Sequence, residues 1–240
     1  MTELHLPGRF LGIETSGTTT AVAVVSETEV LAETAETGTA HNEILFRLIA
    51  RIFEVTGTRP AGLAGIGVTT GPGMFTSLRV GLSAAKALAL AHGTPLAGID
   101  TFAALAASVG AIDPPVLTVV DARKQQVYAA LFRGTARVFG PLLATSAELA
   151  ARVAAATRRG DRLVVAGSGS GLCMPSLLTA NLAATDSGVG VPSAAVVGRL
   201  ARTRIADCCS DDVGRLEPLY LRRTDAELSR KTEATGRDSA

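Results

Sequence analysis

The side chains of this chain that could do chemistry are few. Ser16, Ser77 and Ser168 offer hydroxyls of the type that attacks carbonyl or phosphoryl groups, but no base stands at a readable spacing from any of them. Asp121 and Arg123 place a carboxylate beside a guanidinium, an arrangement that suits an acid-base or substrate clamp and suits a turn salt bridge better. His41, in His41-Asn42-Glu43-Ile44-Leu45, would be half of a helical metal pair if position 45 were histidine; it is leucine. A polar residue at a helix N-terminus is the expectation for His41, and His5 and His92 have no ligand-like neighbours. A metal site is therefore not expected.

Two loops could hold an anion. Gly71-Pro72-Gly73 follows a strand-like run and opens an apolar helix, so amides around Gly71 and Gly73 could cradle a phosphate or could serve only a tight connection. The alternation Gly167-Ser168-Gly169-Ser170-Gly171 could cradle a nucleotide through Gly167 and Gly169, or be a flexible loop. In both cases the connection is favoured over the cradle.

The totals narrow the class. Of 240 residues 47% are apolar, enough for a packed core, and a formal charge of +1 supplies no basic excess for gripping a polyanion. Cys173 and the adjacent Cys208 and Cys209 match neither a disulfide framework nor a zinc spacing. No basic N-terminus leads into an apolar core, and no apolar run reaches about 18 residues, so a signal peptide, a membrane span and a membrane partner are not expected and the cytoplasm is.

The elements that must position these residues follow from periodicity. Arg9 to Glu14, Thr20 to Val25 and Thr28 to Glu36 read as an antiparallel meander, followed by a helix from Ala40 to Val55, a strand from Leu63 to Thr70, the helix ending near His92 and a strand from Pro95 to Asp100. The order βββαβα predicts a mixed sheet with helices packed on it. After a helix from Thr101 to Gly110, Asp113-Pro114-Pro115 marks a hinge into a second, smaller unit with a hairpin (Val116 to Asp121, Gln126 to Arg133), a helix near Ser146 to Ala156 and a strand from Arg162 to Ala166. We divide the chain into an N-terminal subdomain over 1–112, completed by a helix at 192–207 with proline in its first turn, a second subdomain over 113–191, and a disordered tail over 224–240.

Two helices carry too little polar surface. Arg79, Ser83 and Lys86 make one narrow stripe in the second, and Glu43, Arg47, Arg51 and Glu54 one stripe in the first; the rest is apolar. Either a second layer of this chain or a protein partner must cover the excess.

Taken together, Leu11-Gly12-Ile13-Glu14-Thr15-Ser16, His41-Asn42-Glu43, Gly71-Pro72-Gly73-Met74-Phe75-Thr76-Ser77-Leu78-Arg79-Val80-Gly81, Asp121-Ala122-Arg123 with Val127-Tyr128, and Glu217-Pro218-Leu219-Tyr220-Leu221-Arg222 resemble the TsaB (YeaZ) family. They come in that family's order and spread over about nine tenths of the chain. The resemblance implies an α/β fold of the actin/hexokinase-like (ASKHA, ribonuclease H-like) class, with a smaller, degenerate second subdomain. It also implies a noncatalytic subunit that binds and activates a TsaD-like threonylcarbamoyltransferase in making threonylcarbamoyladenosine beside the tRNA anticodon. Partners would be the TsaD-like protein, a TsaE-like ATPase, a second copy of the chain, and tRNA through the complex. No catalytic residue, metal or cofactor of its own is implied, ATP or ADP being expected at the level of the complex. The implied partner surface is the helix pair, through His41, Leu45, Leu48, Ile49 and Ile52 on one helix and Val80, Gly81, Ala84, Ala87 and Leu88 on the other.

Some residues depart from the family's pattern. Glu14 stands where aspartate is usual, Leu11 to Ser16 is closer to the opening of TsaD, and Met74 and Ser77 replace serine and glycine. The chain is nonetheless too short for TsaD and lacks a counterpart of its metal histidines. A small nucleotide-dependent phosphotransferase, with Glu14 helping to hold Mg²⁺ and the two Gly-rich loops holding phosphates, is the alternative. A metallopeptidase ranks last for want of ligands.

Overall fold

The computed structural model describes residues 8–110, 114–158 and 160–221. His5, Asp113 of the expected hinge, Arg222 and the expected disordered tail over 224–240 lie outside the described residues.

The first five strands, β1 (Arg9–Glu14), β2 (Thr19–Val25), β3 (Val30–Thr37), β4 (Leu63–Gly71) and β5 (Leu96–Asp100), form one mixed sheet in the order β3-β2-β1-β4-β5. β1, β2 and β3 pair antiparallel as a meander, whereas β4 and β5 add parallel. Helices α1 (His41–Thr56) and α2 (Phe75–His92) supply the crossovers, each ended by a glycine in the left-handed conformation, Gly57 and Gly93.

Strand alternation decides what each face holds. Leu11, Ile13, Val22, Val24, Ile66 and Val68 join the core under α1 and α2, while Phe10, Ala21, Ala23 and Val25 turn to the other face. That other face is closed by α6 (Ala194–Ala206), which packs on β1, β4 and β2, and by α3 (Thr101–Val109). Glycines let α6 lie flat: a Cβ on Gly12 would collide with the Ala194 carbonyl oxygen, and one on Gly67 would sit 2.7 Å from that of Val197. The N-terminus of α6 is capped by Ser193, whose Oγ accepts from Val196 N, and Ser193 in turn donates to Glu33 of β3 at 2.9 Å. Pro192 therefore precedes the cap instead of occupying the first turn, because Ser193 supplies the capping oxygen.

The second sheet has the order β10-β9-β6-β7-β8, built from β6 (Val116–Asp121), β7 (Gln126–Arg133), β8 (Ala136–Thr145), β9 (Arg162–Ala166) and β10 (Ala183–Asp186). Helices α4 (Ser146–Ala156) and α5 (Ser170–Thr179) enclose its main core, where Leu149, Val153, Cys173 and Leu177 meet Leu117, Val119 and Leu131. A capping box between Thr145 and Glu148 starts α4. On the opposite face, Phe102 and Leu105 of α3 pack against Val116, Val120 and Phe132, so one helix serves both sheets.

Candidate functional site: an apolar groove beside a polar cleft

α1 and α2 sort their side chains by side. His41, Ile44, Leu45, Leu48, Ile49 and Ile52 of α1 point at the sheet and are buried, as are Leu78, Gly81, Leu82, Ala84, Ala85 and Ala89 of α2. Most of the implied partner surface is thus core: Leu45 is 0% exposed, Ile49 6% and Ala84 3%. The reason is that the sheet absorbs the very stripe that lies opposite the charged one. Gly81 is likewise spent, since a Cβ there would collide with Thr15 Oγ1 at the end of β1. His41 is the first residue of α1, as expected of a polar residue at a helix N-terminus; it is buried, its Nδ1 2.9 Å from the Thr20 hydroxyl, and ties the start of α1 to β2. Val80 and Leu88 are half-buried and Ala87 is exposed.

What remains uncovered lies one residue along. Phe46 (61% exposed) and Phe75 (39%) flank a groove of about 610 Å³ whose remaining wall is Asn42, Thr76, Arg79, Val80, Ser83, Ala84 and Ala87. The segment Leu219–Tyr220 braces two of its lining residues, Phe75 and Arg79. Leu219 N donates to Thr70 O at 2.7 Å, Tyr220 stacks on Phe75 with ring centroids 5.0 Å apart, and Arg79 Nε donates to the Tyr220 hydroxyl at 2.8 Å. The Arg79 guanidinium carbon rests 3.8 Å from the centre of the Phe75 ring.

Behind the start of α2 lies a second concavity, a cleft of about 480 Å³ between the two sheets, lined by the Ser16–Gly17–Thr18 turn, Gly73 to Thr76, Val120 to Arg123, Tyr128, Ser168 and Val191. The two Gly-rich loops and Asp121 do converge here. Their amides, however, are largely used within the chain: Met74 N donates to Ser16 O at 2.8 Å, Gly169 N to Val119 O at 3.0 Å and Gly167 N to Val189 O at 2.7 Å. Gly73 is needed for the first of these contacts, because a Cβ would strike the Ser16 carbonyl. Gly71 takes φ +115°, a value that favours glycine. The second loop is only partly a loop, as Gly169 caps α5 and Ser170 and Gly171 are its first turn.

The hydroxyls are engaged too. Ser77 Oγ donates to Met74 O at 3.2 Å, and Ser168 Oγ accepts from Asp121 N at 3.2 Å. Ser16 donates to Glu14 Oε1 twice, through its hydroxyl and through its amide at 2.6 Å. Asp121 Oδ1 accepts from Arg123 N at 2.7 Å and its other oxygen lies 3.7 Å from the guanidinium, which fits the turn reading. The turn itself is unusual: Arg123, Lys124 and Gln125 all take φ between 54° and 64°.

Glu14, hydrogen-bonded to the Ser16 that lines the cleft, is fully buried, and burial pushes its carboxyl up to about 7 against the opposing pull of the Ser16 hydroxyl and amide. Its Oε2 has no hydrogen-bond partner among the described residues. No group of three or more metal-ligating side chains occurs among the described residues, His92 is exposed on the last turn of α2, and no helix is long and apolar enough to cross a membrane. The groove offers a surface for docking, whereas in the cleft the Ser16 hydroxyl is held by the buried Glu14 carboxylate and those of Ser77 and Ser168 by backbone groups. Tyr220, whose contact with Arg79 spans 141 positions, carried no local signal of this role.

Comparison with known proteins gives these features a family. The family model described as TsaD, tRNA N6-adenosine threonylcarbamoyltransferase, matches residues 29–197. The tRNA N6-adenosine threonylcarbamoyltransferase of Tropheryma whipplei (strain Twist) is 40% identical over 106 residues, 38% of this chain and 26% of that protein. The tRNA threonylcarbamoyladenosine biosynthesis protein TsaB of Bacillus subtilis (strain 168) is 30% identical over 124 residues, 51% of this chain and 54% of that one. The chain thus spans between about a quarter and about half of the length of such curated relatives. Among solved structures, YeaZ from Pseudomonas aeruginosa superposes with a TM-score of 0.77 at 22% identity, covering 89% of this chain and 100% of that one. The ethanolamine utilization protein EutJ from Carboxydothermus hydrogenoformans does so with 0.51 at 12% identity, covering 85% and 90%. These likenesses establish the actin/hexokinase-like fold. With its match to the family model extending over more than half of its length, the chain belongs to the TsaD family, and within it is similar to TsaB of Bacillus subtilis in sequence and to YeaZ in fold.

Proposed function

We propose that this chain is a noncatalytic subunit that binds and activates a TsaD-like threonylcarbamoyltransferase, in the pathway that places threonylcarbamoyladenosine beside the tRNA anticodon. The observation that carries the reading is the groove between α1 and α2, whose walls hold Phe46, Phe75, Val80 and Ala87 in contact with solvent. Large aromatic and aliphatic side chains gathered in one concavity are the usual centre of a protein interface. The relatives' names support the pathway. The engaged hydroxyls and amides of the cleft support a subunit whose chemistry is done by its partner. A TsaE-like ATPase, ATP or ADP, and tRNA enter at the level of the complex, and a second copy of the chain is the alternative occupant of the groove.

The test is transfer of threonylcarbamoyl to tRNA by the TsaD-like protein, measured with and without this chain. Wild type should stimulate transfer and Val80→Arg should not. Equal transfer with the wild type and with no added chain would remove the proposal. A nucleotide-dependent phosphotransferase has only the position of the cleft in its favour, because Gly167, Gly169 and Met74 have already donated their amides.

A further inference from the structure

We infer that the partner seated on the α1–α2 groove presents a carboxylate to Arg79, and that Tyr220 holds the guanidinium in place to receive it. The inference rests on the docking role proposed above and adds the chemistry of the contact. Among the described residues, Arg79 is the sole charged side chain lining the groove. It does not wave in solvent as most surface arginines do. One face of the guanidinium lies on the Phe75 ring at 3.8 Å, and its Nε is committed to the Tyr220 hydroxyl at 2.8 Å. Tyr220 is itself stacked on Phe75, and the neighbouring Leu219 amide fastens the segment to Thr70. Two contacts, themselves braced by the Tyr220–Phe75 stack and the Leu219 bond, thus fix the plane of the fork.

The outer edge of that fork is unused. Neither Nη1 nor Nη2 makes a hydrogen bond or an ion pair among the described residues, whereas Arg47, Arg133, Arg137 and Arg204 each have a carboxylate within 2.8 to 3.1 Å. A planar guanidinium stacked on a ring can donate only in its own plane, and a carboxylate accepts two parallel bonds in that geometry. The surroundings argue for a protein carboxylate over a polyanion, because the wall beside Arg79 is mainly apolar and, among the described residues, no second cation lines it. A partner covering this wall would strand the guanidinium without water unless it brought an acceptor, and an unpaired buried charge is costly. Because Arg79 is already ordered, little side-chain entropy is lost on pairing, and Tyr220 acts as a positioning residue for the interface.

The test is calorimetric titration of the full chain with the TsaD-like protein at low and high salt, with thermal unfolding as a folding control. Arg79→Gln should weaken binding roughly 10- to 100-fold at low salt and flatten the salt dependence. Arg79→Lys should recover only part of the loss, since an ammonium neither stacks nor forks. Tyr220→Phe should weaken binding about threefold to tenfold and leave the salt dependence in place. Wild-type affinity and salt dependence in Arg79→Gln would overturn the inference, as would full recovery by lysine. Phe46→Arg separates the two levels: wild-type binding in that variant sinks the docking role itself, whereas loss there with wild-type binding in Arg79→Gln sinks only the carboxylate contact.

Discussion

Glu14→Gln replaces a buried acid by its neutral isostere at the end of β1, and its effect should depend on pH. The carboxyl lies on β1, fully buried, with Oε1 accepting from the Ser16 amide and hydroxyl and Oε2 without a partner. Burial raises it from 4.5 to about 7, so the folded protein keeps a proton that the unfolded chain releases between those values. The sign follows directly. The contribution of this group to stability is fully present below about 4.5, is lost as pH rises through about 7, and stays lost above it. At about 1.4 kcal/mol for each pH unit between the two values, the loss is on the order of 3 kcal/mol. Glutamine at this position does not titrate, and its side-chain oxygen can still accept from Ser16. Urea denaturation of wild type and variant at about pH 5 and about pH 8.5 isolates the group, because every other titrating residue is common to both proteins. The wild type should lose on the order of 3 kcal/mol more than the variant between the two conditions. Parallel pH dependences would refute the reasoning, since they would mean that Glu14 ionises in the folded state as easily as in water.

Leu45→Ala should cost about 2 to 5 kcal/mol in denaturant unfolding, as expected for a core leucine, whereas Phe46→Ala should stay within about 0.5 kcal/mol of wild type; equal costs would mean that the two sides of α1 are misassigned. Titration of the isolated chain with ATP at roughly millimolar concentration should give no heat of binding, and saturable binding would revive the phosphotransferase reading.

Much of this architecture could be read from local pattern. The alternation in Arg9 to Glu14 and Thr20 to Val25, and the Gly71-Pro72-Gly73 break before an apolar helix, set the meander and the second crossover with bounds shifted by a residue or two. Other elements were hidden for definite reasons. β8 contains Gly140-Pro141 in its middle, and a proline argues against a strand. α5 begins inside a Gly-Ser alternation and carries Pro175, while β10 is only four residues long. For the site, the narrow polar stripes of α1 and α2 pointed to excess apolar surface but could not say which side the sheet takes. Leu45 and Phe46 are equally apolar as letters; only the packing of α1 on β2 buries one and leaves the other in the groove. The cleft shows a related limit. Gly167 and Gly169 look free to bind an anion in sequence, and their amides are spent on Val189 and Val119 only because the fold brings those residues beside them.

The central claim, that the exposed face of α1 and α2 is a docking surface for a TsaD-like protein, is tested most directly by calorimetric titration of that protein with wild type and with Phe46→Arg. Phe46 is 61% exposed, so the substitution should leave thermal unfolding unchanged. The account predicts saturable binding by the wild type and a loss of about a hundredfold or more in the variant. Equal affinity of the two proteins, with both folded, would contradict it.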